Sequence, residues 1–162
     1  MKVFRHAIQF MLAALFAAVA FGAWAQAPSY GPSINLEQAR KVIVAAQAEA
    51  RKNSWTVAVA VLDTAGNLVA FDKMDDTQTG SILVAQDKGR SAALYRRPSK
   101  VFEDIVAGGG AGVRYLNLRD VSAIEGGVPI TVGGKIIGAI GVSGVTSVQD
   151  GMVAKAGADA LK

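Results

Sequence analysis

The stretch GGVPITVGGKIIGAIGVSGV, from Gly126 to Val145, constrains the fold most. Val128–Val132 and Lys135–Ser143 are rich in β-branched side chains, which is typical of strands. Between them, Gly133-Gly134 predicts a two-residue hairpin turn, because both central positions of such a turn need a positive φ. A chain that contains this segment is expected to build an antiparallel sheet.

Three glycines, Gly138, Gly141 and Gly144, recur every third residue in and just after the second of these strands. A dinucleotide-binding loop needs G-x-G-x-x-G at a strand-to-helix turn, and a P-loop needs Gly-Lys followed by Ser or Thr. Neither pattern occurs here. Glycine inside a strand instead allows a close approach, so we expect a helix, a second subunit or a flat ligand to pack against this strand.

Other elements follow from periodicity and turn signals. Asn35 and Gln38 predict a capping box that opens a first helix. Trp55–Asp63 and Leu68–Met74 predict two strands, and the turn residues DTAGN join them into an antiparallel hairpin.

The second half of the chain adds further helices. They are predicted over Ser81–Tyr95, over KVFEDIVA with Ser99 as its cap, and over Val148–Leu161 after the capping box SVQD, while Val113–Ile124 is predicted to be a loop that leads into a short strand. The order is helix, hairpin, helices, hairpin, helix. This order predicts one α/β (α+β) domain, an antiparallel sheet of two hairpins with helices packed on it.

The N-terminus resembles a secretory signal. Lys2 and Arg5 precede an apolar run, Phe10–Phe21, and the A-x-A site AWA places the cleavage before Gln26. Residues 1–25 are therefore predicted to be removed, which implies export, to the periplasm or the extracellular space, and no membrane span in the mature protein.

The mature chain is predicted to consist of a flexible leader, 26–34, and one domain, 35–162. Without the two basic residues of the signal, 15 Lys and Arg face 13 Asp and Glu. This near balance gives no reason to expect a nucleic-acid partner.

The chain has no cysteine, and its one histidine, His6, lies in the predicted signal. Thiolate catalysis, iron–sulfur clusters and Cys-type zinc sites are thereby excluded, and no metal site is predicted. GVSGV around Ser143 resembles a nucleophile elbow, but Val145 replaces its last glycine and the usual histidine base is missing. Ser143 is therefore expected to act as a hydrogen-bonding residue.

Among the carboxylates, Glu125 is the candidate for an acid–base role. It directly precedes Gly126-Gly127 and an apolar strand, so its charge must be solvated or paired. Lys88, Arg90 and Arg119 are candidate partners. Lys88 and Glu125 form the candidate catalytic pair, because a buried lysine with a lowered pKa can serve as a base.

The remaining candidates have soft, phenolic or guanidinium groups that suit an apolar or anionic ligand, although each can also serve as an ordinary packing residue. With the hydroxyl at the strand end, the candidate ligand-binding residues are Met74, Tyr95, Arg97, Tyr115, Arg119 and Ser143.

Two blocks of this sequence carry a family resemblance. VAVLDTAGNLVAFDKMDD and EGGVPITVGGKIIGAIGVSGVTSVQDGMVAKAGADAL resemble the two signature blocks of the GlcG/HbpS family, also called the haem-degrading domain family. Ser81, Ala85, Lys88 and Ala92 fit the family's middle helix. The resemblance covers nearly the whole mature chain.

This resemblance implies a single profilin-like domain, a tendency to form homo-oligomers, and haem binding or degradation in exported members. The sequence departs from the family at Lys73, where the pattern has Arg, and at Val145, where it has Gly. Since the mature chain lacks histidine, an axial haem ligand would have to be Tyr, Met, Lys, a hydroxyl or water.

Three functions stay open at this point. The first is an exported haem-binding protein that carries, senses or slowly degrades haem. The second is a small catabolic enzyme that uses Lys88 and Glu125 on an organic acid or carbonyl compound. The third is an assembly module without a ligand.

Overall fold

The computed structural model describes residues 27–161, so the predicted signal lies outside the described residues. The helices are α1 (Leu36–Lys52), α2 (Ser81–Tyr95), α3 (Ser99–Ala107) and α4 (Ser147–Ala158), with 3-10 helices at Gly110–Asn117 and Asp159–Leu161. The strands are β1 (Ala58–Leu62), β2 (Leu68–Lys73), β3 (Gly127–Val132) and β4 (Lys135–Ser143).

The four strands form one antiparallel sheet in the order β2-β1-β4-β3. Each outer strand belongs to a hairpin, and the two hairpins meet where β1 pairs with β4, for example Ala60 with Gly141. Gly133 and Gly134 turn the second hairpin with φ of 55° and 74°, as their sequence predicts. The predicted α+β class is confirmed.

Helices cover both faces of the sheet because β1 alternates large and small side chains. Val59 and Val61 point toward α1 and α4 and join the main core with Ile140. Ala58 and Ala60 point the other way and pack against Ala85 of α2. The valine face fills the space under two helices, whereas the alanine face lets one helix come close.

The spaced glycines of β4 allow this close approach. A Cβ on Gly141 would lie 1.9 Å from the Ala85 carbonyl oxygen, and one on Gly89 of α2 would lie 3.0 Å from the Gly141 nitrogen. A Cβ on Gly144 would lie 2.2 Å from the Thr56 carbonyl oxygen. The partner of this strand is therefore the chain's own backbone, and the glycines leave no cleft there for a flat ligand or a second subunit.

Several local predictions need correction. Gly110–Asn117, much of which was expected to be loop, forms a 3-10 helix. Ser99 is the first residue of α3 instead of its side-chain cap; the cap position is Pro98. Part of the expected flexible leader is tied down, since Gly31 N–H donates to the Ile136 carbonyl at 2.8 Å and Tyr30 bridges to the same residue.

Candidate functional site

Phe102 is the centre of an aromatic cluster at one end of α2 and α3. Its ring centroid lies 5.4 Å from that of Tyr95, in an edge-to-face arrangement, and 6.1 Å from that of Tyr115. The Arg97 guanidinium lies 5.7 Å from the Phe102 centroid. The Tyr95 hydroxyl donates to the Arg119 carbonyl at 2.6 Å. We call these five residues the Phe102 surface.

Local structure explains why these side chains meet. α2 ends where Arg96 adopts a left-handed conformation with φ of 54°, which turns the chain toward α3. Phe102 is the buried aromatic residue of the short α3 and anchors that helix. The 3-10 helix that follows places Tyr115 against its ring. Four of the predicted ligand-binding residues, Tyr95, Arg97, Tyr115 and Arg119, are thus brought together.

The rim of this surface combines exposed apolar and cationic side chains. Val113, Leu116 and Leu118 are all exposed, Leu116 by 57%. A cavity of about 540 Å³ is lined by Arg114, Tyr115, Asn117 and Leu118, and the Arg114 guanidinium lies 6.0 Å from the Tyr115 centroid. Such a surface suits a flat, apolar molecule that carries acidic groups.

The two other predicted ligand-binding residues contact different parts of the molecule. The buried Ser143 hydroxyl lies 3.0 Å from the Ser81 hydroxyl. Met74 packs against the main core, and its N–H donates to the Val57 carbonyl. Ser143 is thus a hydrogen-bonding residue, as expected, and neither residue belongs to the Phe102 surface.

Lys88 lies inside the protein, where its carboxylate partner is Asp150. The ammonium nitrogen is 2.8 Å from Asp150 Oδ2 and donates also to the Val142 carbonyl at 3.2 Å. The direct pair of Lys88 with Glu125 expected from the sequence is therefore wrong. Arg90, the second proposed partner of Glu125, bonds Asp87 instead. The pairing with Asp150 was missed because SVQD resembles a helix cap.

Glu125 lies in the segment 124–127, in which the backbone of each residue forms a hydrogen bond to another part of the protein. The Ser99 hydroxyl donates to the Ile124 carbonyl at 2.7 Å and accepts from Gly127 N–H at 2.9 Å. Glu125 N–H donates to Glu103 Oε2 at 2.6 Å, and the Gly126 carbonyl accepts from Val142 N–H at 2.9 Å. Ser99 therefore holds this segment instead of capping α3, the role assigned to it from the sequence.

A second cavity, of about 380 Å³, opens beside this segment, and we call it the Glu125 pocket. Its walls come from the start of α3, from β3 and from one side of α4. Its lining residues are Pro98, Lys100, Glu125, Gly126, Gly127, Val128, Pro129, Thr131, Gly151, Lys155, Ala158 and Asp159.

Glu125 is a half-buried acid in this pocket. Burial raises the pKa of Glu125, and the nearby Glu103 carboxylate raises it further, while the Lys100 ammonium acts in the opposite direction. The group is therefore a weaker acid than a solvated glutamate.

Residues 27–161 lack both a cluster of metal-binding side chains and a helix suited to a membrane. Within this range, no group of three or more His, Cys, Asp and Glu side chains is placed to hold a metal ion. None of the helices in the same range is long and apolar enough to span a membrane.

The fold defines a small α+β domain, an antiparallel sheet with helices on both faces. The family description "Haem degrading protein HbpS-like" matches residues 34–159, and the chain belongs to this family. The resemblance inferred from the two sequence blocks is thereby confirmed.

Individual relatives agree with this assignment. Protein GlcG of Escherichia coli K12 is 43% identical over 110 residues, which cover 68% of this chain and 81% of that protein. The crystal structure of a Streptomyces reticuli HbpS double mutant has a TM-score of 0.74 at 27% identity and covers 87% and 95% of the two chains. A PduOC–haem complex, with a TM-score of 0.72 at 23% identity over 80% and 96% of the two chains, shares the fold.

Proposed function

We propose that the protein binds haem at the Phe102 surface. The observation that carries this proposal is the arrangement there of phenolic, aromatic and guanidinium side chains beside exposed apolar residues. Haem combines an apolar macrocycle with two carboxylates. The exposed Leu118, which lines the cavity beside Tyr115, would contact the macrocycle, and Arg97 and Arg114 would pair with the carboxylates.

Tyr115 is the residue proposed to hold the iron. Phenolate oxygen is an established axial ligand of haem. Tyr95 is less suited, because its hydroxyl already donates to the Arg119 carbonyl at 2.6 Å. Bound haem would supply redox chemistry at its iron, while the protein's own residues would bind, orient and partly shield it.

Family membership supports this proposal, as does the haem named in the PduOC complex. We further propose that the protein is exported and acts as a homo-oligomer that carries, senses or slowly degrades haem. The signal-like residues 1–25 support export. The exposed apolar residues Val113 and Leu116 support self-association, since a second copy would cover them.

The other two functions are less well supported. Lys88, at 1% exposure and paired with Asp150, is not open to a substrate, so an acid–base enzyme would have to rely on Glu125. In an assembly module without a ligand, protein from a neighbouring copy would fill the glycine-lined surfaces. Those at Gly138, Gly141 and Gly144 are filled by this chain itself and give no evidence of assembly.

The test is a titration of purified mature protein with haem, followed by absorbance. We expect a Soret band distinct from that of free haem, at micromolar concentrations. Tyr115→Phe should weaken binding at least about tenfold, the effect of one lost iron ligand or strong hydrogen bond. Tyr30→Phe is the matched control, because Tyr30 also lies under an arginine, Arg96, at 5.6 Å, but outside the Phe102 surface.

Two outcomes would refute the proposal. One is no spectral change with micromolar haem. The other is equal affinity of the wild type, Tyr115→Phe and Tyr30→Phe, which would move the site elsewhere. Sedimentation of the haem-loaded protein tests the oligomer, and mass spectrometry of the secreted protein tests whether it begins at Gln26.

A further inference from the structure

We propose that the Glu125 pocket is a second ligand site, which binds a small aliphatic hydroxy carboxylate. It shares no lining residue with the Phe102 surface. Its volume of about 380 Å³ is suited to a small molecule.

The first argument is the rigidity of the segment that presents Glu125. Consecutive residues from Ile124 to Gly127 each have a backbone hydrogen bond to another element, through Ser99, Glu103 and Val142. Gly126 adopts φ of 129°, a conformation that L side chains rarely adopt. A backbone segment held in this way loses little entropy when a ligand binds, as expected of a preorganised site.

The second argument is the glycine in the wall opposite Glu125. A Cβ on Gly151 would lie 2.4 Å from Glu125 Oε1, so any larger residue there would displace the carboxyl. Glycine inside a helix such as α4 costs about 1 kcal/mol relative to alanine. Glycine at position 151 therefore lowers the stability of α4, but it leaves room for the Glu125 carboxyl group beside that helix.

The third argument is that glycine lets the floor of the pocket pack closely on α2 and on the buried pair beneath it. A Cβ on Gly127 would lie 2.1 Å from the Lys88 carbonyl oxygen, and one on Gly126 would lie 2.9 Å from the Lys88 ammonium. The floor is thus bare backbone above the Lys88–Asp150 pair. Since that pair is internally neutral, it neither repels nor strongly attracts a charged ligand.

The lining residues define the class of ligand. Lys100 and Lys155 form ion pairs with Asp104 and Asp159, one helical turn away, and both lysines remain partly exposed. An ammonium group has three donors, so each lysine can also bind a ligand carboxylate.

Glu125 accepts a hydrogen bond from a hydroxyl group, and Val128, Pro129 and Ala158 provide apolar contact for an aliphatic chain. A carboxylate, a hydroxyl and a short aliphatic part together make a hydroxy carboxylate.

The probe is 3-hydroxybutyrate, added to the ¹⁵N-labelled mature protein and followed by amide chemical shifts. We expect saturable shifts confined to the pocket residues, with a Kd on the order of 1 mM. Butyrate lacks the hydroxyl and 1,3-butanediol lacks the carboxylate, so each should bind at least about fivefold more weakly. Equal binding of either analogue, shifts centred elsewhere or no saturation would overturn the proposal.

Variants test which side chains contact 3-hydroxybutyrate. Glu125→Gln and Lys155→Met should each weaken 3-hydroxybutyrate binding about tenfold, whereas Lys41→Met, an exposed lysine outside the pocket, should not. Thermal melting checks that each variant is folded, and Gly151→Ala gives a second way to displace Glu125. Wild-type affinity in Glu125→Gln would refute the site. Haem binding by Glu125→Gln should be unchanged, which separates this proposal from the previous one.

Discussion

The Lys88 ammonium and the Asp150 carboxylate lie 2.8 Å apart, and both side chains are only 2% exposed. The pair joins α2 to α4 at the end of β4, where Asp150 Oδ1 also accepts from Val145 N–H at 3.2 Å. Burial raises the pKa of Asp150, and Lys88 acts against that rise. Because desolvation offsets much of the attraction, the main effect of such a pair is the penalty for breaking it.

We therefore expect Lys88→Met and Asp150→Asn each to lower the free energy of unfolding by about 3–5 kcal/mol, since each leaves one buried group without its partner. The double variant should lose less than the sum of the two single variants. Urea unfolding followed by Trp55 fluorescence measures all three.

The control for this prediction is an exposed ion pair. Lys41 and Glu37 are also 2.8 Å apart, but their side chains are 60% and 79% exposed. Lys41→Met should change stability by less than about 1 kcal/mol. Similar losses for Lys41→Met and Lys88→Met would contradict the importance of burial.

The glycine of β4 that faces α2 gives a second prediction. Gly141→Ala would place a Cβ 1.9 Å from the Ala85 carbonyl oxygen, and backbone on both sides cannot move aside as a side chain can. We expect the free energy of unfolding to fall by about 3 kcal/mol, at the upper end of overpacking costs.

Gly80→Ala is the control, because Gly80 has φ of −61° and no atom within 4 Å of an added Cβ. It should be neutral or stabilise by about 0.5 kcal/mol. Thermal unfolding compares the two, and equal stability would show that α2 is not held against β4 in this way.

Elements with strong local signals were predicted well from the sequence. The bounds of α2 and β4, the Asn35–Gln38 capping box and the Gly133-Gly134 turn agree with the structure. Each depends on residues within a few positions of one another, through helical periodicity, strand composition or turn chemistry. Local sequence was sufficient for these features.

Features that depend on distant residues could not be predicted in the same way. Lys88 and Asp150 are 62 residues apart, and nothing local marks them as partners. Phe102 was not selected, although it is the ring that gathers Tyr95 and Tyr115. Its place in the apolar stripe of KVFEDIVA indicated burial but not its neighbours. The candidate sites emerge only when α2, α3 and α4 are brought together.

The start of α4 gives a third prediction, since SVQD suggests the wrong cap. The observed capping box uses Thr146, whose hydroxyl accepts from Gln149 N–H, while Asp150 is occupied by Lys88. Thr146→Ala should lower the free energy of unfolding by about 1 kcal/mol. Ser147→Ala should change it by less than about 0.5 kcal/mol. Urea unfolding of both variants measures these changes. A larger loss of unfolding free energy for Ser147→Ala than for Thr146→Ala would show that Ser147 is the cap, as the sequence predicts.

Glu125 gives the final prediction, which concerns pH. Burial and Glu103 raise the pKa of Glu125 in the folded protein above its ordinary value of 4.5. Between these two values the folded state binds more protons than the unfolded state, so this group's contribution to stability falls as pH rises. Glu125→Gln removes the titration, and we expect the variant to be more stable than the wild type at neutral pH. That advantage should shrink as pH falls toward and below 4.5, where the glutamate is neutral in both states.

Urea unfolding at several pH values measures the difference in stability between Glu125→Gln and the wild type. A Glu125→Gln variant that is less stable at neutral pH would show that the carboxylate is stabilised in the pocket. The expected sign fits a residue retained for binding at a cost in stability.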